Sequence, residues 1–127
     1  MSARVVQRHV VKQIPDERLR VYTVWGPMLE KETGEDAKQA TVHLPDPRVV
    51  HFWTPSQGVA EAFEAPLGLP QGVRAWDTFL LFPPGVTWGE TAPAPAFYMH
   101  KNKPLPDDRR FNAITLAEEI RKLLAAP

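Results

Sequence analysis

Short β-rich apolar runs, punctuated by proline, alternate along this chain with stretches whose apolar residues recur at helical spacing. Over residues 2–14, Val5, Val6, Val10 and Ile14 return at near-helical intervals, with Ser2 placed to cap and Pro15 to stop, which predicts a helix. Val21–Trp25 (VYTVW) is β-branched and aromatic, and Gly26-Pro27 ends it at once, so it reads as a buried strand. Thr33 with Asp36 three positions on, followed by Ala37, Ala40, Thr41 and Leu44 on one face, predicts a helix over 33–44. Pro45 and Pro47 end it. Val49–Trp53 (VVHFW) is the next predicted strand, stopped by Pro55. Ser56 then caps a short helix with Val59, Ala60 and Phe63 on its face, closing at Pro66-Leu67-Gly68.

The stretch from Ala75 to Trp88, AWDTFLLFPPGVTW, is the clearest β signal. Its unbroken Phe79–Phe82 run suits a strand covered on both faces. Pro84-Gly85 makes a turn, from which Val86–Trp88 is expected to run back along that strand. Residues 90–96 are Pro/Ala-rich and extended, and Phe97–His100 suits an edge strand because nearby prolines fit an edge better than an interior. In the last segment Thr115 and Glu118 form a T-x-x-E capping box, ahead of an apolar face of Leu116, Ile120, Leu123 and Leu124. No internal repeat is evident. The whole pattern is that of one α/β domain over residues 1–127.

Composition narrows the function classes. The 127 residues are 43% hydrophobic and 24% charged, ordinary for a globular chain. Lys plus Arg equals Asp plus Glu at 15 each, and Arg109-Arg110 follows Asp107-Asp108, so no basic field favours nucleic acid or an anionic membrane. No stretch approaches the roughly 20 apolar residues of a bilayer span. Arg4, Arg8 and His9 interrupt the N-terminal valines where a signal peptide would be apolar, so the expected location is cytoplasmic. The chain has no cysteine, hence no disulfide, thiolate–metal site or thiol reaction within these residues. Fourteen prolines, mostly in connections, imply rigid loops.

PDERLRVYTVW, DPRVVHFW and AWDTFLLFPPGVTW resemble core stretches of redoxin-type proteins of the thioredoxin-like superfamily, over most of residues 4–100. The resemblance implies a three-layer fold with a central mixed β-sheet flanked by helices, and with the N-terminal strand lacking or rearranged in one of two registers. In that superfamily a Cys-x-x-Cys pair or a single cysteine sits where a strand meets a helix N-terminus, which lowers the thiol pKa. In the first register VWGPM takes the place of the WCGPC motif, with Trp25 and Met28 at the cysteine positions and Gly26-Pro27 between them. In the second, favoured by the similarity around residues 15–25, residues 4–14 are the helix that follows the motif, and a central strand lies upstream of Met1.

Other chemistry is sparse. His9, His43, His51 and His100 show neither H-x-H nor i, i+4 spacing, so local metal-ligand geometry is missing and they read as surface or core residues. Asp46, Asp77 and Glu90 are the acid–base candidates. Asp77, with Arg74, Trp76 and Thr78, falls where the resemblance puts the loop facing the active site, in a chain that lacks the cis-proline pattern there; the plain alternative is a turn-capping Asp77 and a solvated Arg74. Trp25, Trp53, Trp76 and Trp88 lie at strand ends, where crevices form in α/β sheets. No phosphate loop, nucleophile elbow or zinc-protease motif is present, and no cofactor or metal is expected.

These readings converge on a cysteine-free, thioredoxin-like module that binds a protein or small molecule. Its crevice would be built from Trp25, Gly26, Pro27, Met28, Arg74, Trp76, Asp77 and Thr78. The alternative is a redoxin-type thiol–disulfide oxidoreductase whose Cys-x-x-Cys segment lies upstream. A homodimer paired through an open sheet is the third expectation.

Overall fold

A slipped hydrogen bond shapes the first element. α1 (Ser2–Val6) continues as a π-helical turn over Gln7–Val11, in which the Lys12 N–H donates to the Gln7 carbonyl at 3.0 Å. Consecutive Val10 and Val11 are both buried there. Gln13 and Ile14 then close tight turns onto the carbonyls of Val10 and Val11, so the helix ends short of the expected residue 14. Pro15, without an N–H, could not have continued it. The computed structural model describes residues 2–25, 41–54, 58–71, 73–75 and 77–126.

β1 (Val21–Trp25) and β2 (Val49–Trp53) pair in parallel, with Val21 opposite Val49, Thr23 opposite His51 and Trp25 opposite Trp53. A parallel pair needs a crossover. Of it, the return is described: a 3₁₀ turn at Thr41–His43 and then Leu44, which is buried. The helix expected over 33–44 lies outside the described residues as far as residue 40, as does the Ser56 cap. α2 (Gly58–Ala62) is followed by turns ending at Gly68, whose φ of +65° is the left-handed conformation glycine adopts without penalty.

β3 (Thr78–Leu81) pairs antiparallel with β4 (Phe97–His100), Thr78 opposite His100 and Leu81 opposite Phe97. This corrects the expected return along Val86–Trp88, which forms no strand. Trp88 instead sets its ring edge-on to Phe63, 5.2 Å between centroids, with Phe82 beside both. α3 (Ala113–Ala125) closes the chain. It begins two residues before Thr115, so Asn112 stands at the cap position and the T-x-x-E pair falls inside the helix. Ile114 is exposed, and Leu116, Ala117 and Ile120 are buried, with Leu123 and Leu124 half-buried.

The fold is mixed α/β. Among the described residues the strands make two separate two-stranded sheets, one parallel and one antiparallel, where a single central sheet was expected. The chain divides into two compact units, Met1–Gln57 with Ala113–Pro127, and Gly58–Asn112. In the first, Ala3, Val11 and Leu44 form a core onto which Val6, Val21, Trp25 and Val49 pack, and α3 packs on the π-helical turn. In the second, Phe63, Leu67, Met99 and Leu105 are buried, and Phe79 stacks on Phe111 at 4.2 Å.

Three aspartate–arginine clamps tie the connections. Arg48 grips Asp46 through Nε and Nη2, both at 3.0 Å, and donates to the carbonyls of Val11, Ile14 and Asp16 at 2.6–2.8 Å. Arg18 grips Asp16 in the same bidentate way and reaches the Leu124 carbonyl. Arg110 holds Asp107 and the carbonyls of Asn102 and Leu105. The first two share the pattern Pro-Asp-x-Arg, at 15–18 and 45–48, each just ahead of a parallel strand.

Candidate functional site

Trp25 and His51 are brought together by the β1–β2 register. The pairing sets Thr23 beside His51, and Trp25, two residues on, lies on the same face. The Trp25 indole N–H donates to His51 Nδ1 at 3.1 Å, and Thr23 Oγ1 lies 2.6 Å from the same nitrogen. His51 Nε2 faces the Leu44 carbonyl at 3.1 Å. Indole nitrogen only donates, so Nδ1 is the acceptor and Nε2 carries the ring proton. Trp25 is half-buried against the core. It anchors the end of β1, from which Gly26, Pro27 and Met28 continue outside the described residues.

The opposite face of the same strands is open. Tyr22 is 64% exposed, Val24 48%, Val50 43% and Phe52 50%. Tyr22 pairs with Val50 and Val24 with Phe52, so all four stand on one face, and the Tyr22 and Phe52 rings stack at 6.3 Å. Parallel sheets ordinarily bury both faces, and an uncharged aromatic–aliphatic group in solvent is the usual mark of a contact surface.

Arg74, Asp77 and Thr78 belong to the second unit; Trp76 lies outside the described residues. Arg74 is ion-paired with Glu64 at 2.7 Å and Glu61 at 3.2 Å, and its carbonyl accepts from the Asn102 amide. It is therefore a brace across the unit, where a solvated or substrate-facing arginine was expected. Thr78 donates its hydroxyl to the Ala75 carbonyl. Asp77 is exposed at φ +49°, a left-handed conformation that aspartate tolerates better than most residues, and its carbonyl receives the Lys101 N–H at 2.9 Å. Asp77 thus takes part in a bend through its backbone. The eight candidate residues thus divide into Trp25 in one unit, Arg74, Asp77 and Thr78 in the other, and four outside the described residues.

The remaining titratable candidates have structural work. Arg4 Nε donates to His43 Nδ1 at 3.0 Å. His100 is buried, taking the Asn102 N–H on Nδ1 and facing the Pro106 carbonyl with Nε2 at 2.9 Å. No group of three or more His, Asp or Glu side chains suited to a metal occurs among the described residues. Asp46 is held below the usual carboxylate range by hydrogen bonds from the Arg48 side chain and backbone. Glu90 is exposed. A cavity of about 260 Å³ in the second unit is lined by Gly68, Tyr98, His100, Leu105, Pro106 and Arg109, with the Arg109 guanidinium 4.4 Å above the Tyr98 ring.

The open face and the clamps both escaped the sequence reading. The clamps had a signal, the repeated Pro-Asp-x-Arg. The open face had none, since a run such as VYTVW looks the same whether one or both of its faces are covered.

No protein-family model, curated protein or solved structure matches this chain.

Proposed function

We propose that this chain is a thioredoxin-like domain without redox cysteines that works as a protein-interaction module, docking through the outward face of β1 and β2. One observation carries the interaction reading: four side chains without charge, Tyr22, Val24, Val50 and Phe52, share the exposed face of a parallel strand pair. Burying them would stabilise a complex by roughly 25 cal/mol per Å² of apolar surface covered, and aromatic residues are the usual anchors of such contacts. A flat strand face fits a protein surface better than a small molecule, which needs a concave site.

The fold part of the reading is supported by the element order: strand, crossover, parallel strand, helix, antiparallel pair, terminal helix. Of the two registers, the direct five-residue pairing of β1 with β2 favours the first, in which no strand is missing between them. WGPM then continues from the end of β1 with Trp25 at a cysteine position, and methionine at 28 has no thiolate form.

A photo-crosslinking residue placed at 22 or 52 in cells tests the surface, with exposed Lys12 as control position. Adducts from 22 and 52 that are absent from 12 are expected. Equal yields at the three sites, or none, would overturn the assignment. An adduct of twice the 14.3 kDa chain mass would identify the partner as a second copy.

A further inference from the structure

We propose that His51 is a proton-operated clasp: neutral, it binds Trp25, and protonated, it releases Trp25 while keeping its other two bonds. The single imidazole holds the chain on both sides of the β1–β2 crossover, with Nδ1 at Trp25, where the crossover leaves, and Nε2 at Leu44, where it returns. In the neutral ring Nε2–H donates to the Leu44 carbonyl, and the lone pair of Nδ1 receives the Trp25 indole N–H and the Thr23 hydroxyl.

A proton arriving from solvent has one place to bind, Nδ1. The new N–H would then face the indole N–H, donor against donor at the present 3.1 Å. Indole nitrogen offers no acceptor, so that contact turns repulsive. A hydroxyl both donates and accepts. Thr23 Oγ1, 2.6 Å away, can turn its hydrogen aside and accept the new proton. The Nε2–H bond to Leu44 is unaltered. Of three bonds, only the one to Trp25 is broken.

Among the described residues, the surroundings leave this exchange to His51 itself. β1 contributes Thr23 and Trp25, with Tyr22 on the opposite face. On the return turn His43 is engaged by Arg4 of α1. The π-helical turn also carries Arg8 and His9, both exposed. Asp46 and Arg48 ahead of β2 are paired with each other. Among the described residues, the groups hydrogen-bonded to His51 are Thr23, Trp25 and the Leu44 carbonyl, none of them a carboxylate.

Nitrogen-15 spectra of the wild-type chain, followed from mildly alkaline to mildly acidic pH, test the clasp without any ligand. At the alkaline end His51 should show the tautomer protonated on Nε2. On acidification the Trp25 indole N–H resonance should shift with the same midpoint as the His51 ring. In His51→Gln that indole response should vanish over the same range. A Trp25 signal that stays fixed while His51 titrates, or an alkaline tautomer protonated on Nδ1, would overturn the proposal. None of these readouts depends on partner binding.

Discussion

At the scale of single residues, Arg48 is the most heavily engaged side chain described. A guanidinium has five N–H donors, and all five are used: two on the Asp46 carboxylate and three on the carbonyls of Val11, Ile14 and Asp16. Lysine has the charge but not the planar fork. Arg48→Lys should therefore strand two or more acceptors and cost roughly 2–3 kcal/mol in chemical denaturation; a loss below ~0.5 kcal/mol would show the clamp to be ornamental. The carboxylates add a pH dependence. Hydrogen bonds from the Arg18 side chain, then its backbone, lower Asp16 from 3.8 to about 2, and Arg48 lowers Asp46 in the same direction. A carboxylate whose pKa falls on folding stabilises the native state above its unfolded value, and that contribution is lost as pH falls through the folded value. The urea midpoint should thus carry the full contribution of these groups, independent of pH, above about pH 4 and decline below it toward pH 2. An Asp16→Asn, Asp46→Asn double variant should flatten that decline, and an unchanged slope would point to other groups. Asp77 offers a separate test of backbone against chemistry. At φ +49° a β-branched residue is strained, so Asp77→Val should cost roughly 1–2 kcal/mol, whereas Asp77→Asn should be nearly neutral. Equal losses for both would mean that the carboxylate matters and the turn does not.

At the scale of elements, α3 shows how burial is concentrated. Leu116, Ala117 and Ile120 are buried while Ile114 is 70% exposed, so the helix contributes through one stripe laid on the π-helical turn. Ile120→Ala should cost roughly 2–4 kcal/mol by thermal or urea unfolding, with Ile114→Ala near zero. These elements were largely legible beforehand. VYTVW, VVHFW, the FLLF run, FYMH and the terminal helix all form where their apolar patterns put them, because each pattern is local. What pairs with what was not legible. Val86–Trp88 had the β-branched and aromatic content of a return strand, but β3 takes Phe97–His100 after a longer excursion and Trp88 joins an aromatic group instead. Thr115 and Glu118 matched a capping motif that the helix overruns by two residues. Of the candidate site, Trp25 was singled out for its strand-end position, yet its bond to His51 depends on strand register, which no single run encodes. Arg74 was flagged, but its partners are Glu61 of α2 and Glu64 of the turns after it, ten or more residues earlier in the chain.

At the scale of the whole molecule, the first unit is discontinuous: its last helix arrives after the entire second unit has been traversed. Each unit has buried residues of its own, so a defect under α3 should stay local. In Ile120→Ala, hydrogen exchange should speed up in the amides of β1 and β2 while those of β3 and β4 keep their protection. Uniform loss across all four strands would mean that the two units unfold as one. The π-helical turn bears on how such a chain is compared with others. A single π turn is an α-helix holding one residue too many, so a kinsman lacking that residue would close the same helix without interruption. Against such a chain the extra residue would fall inside the helix, between Gln7 and Val11.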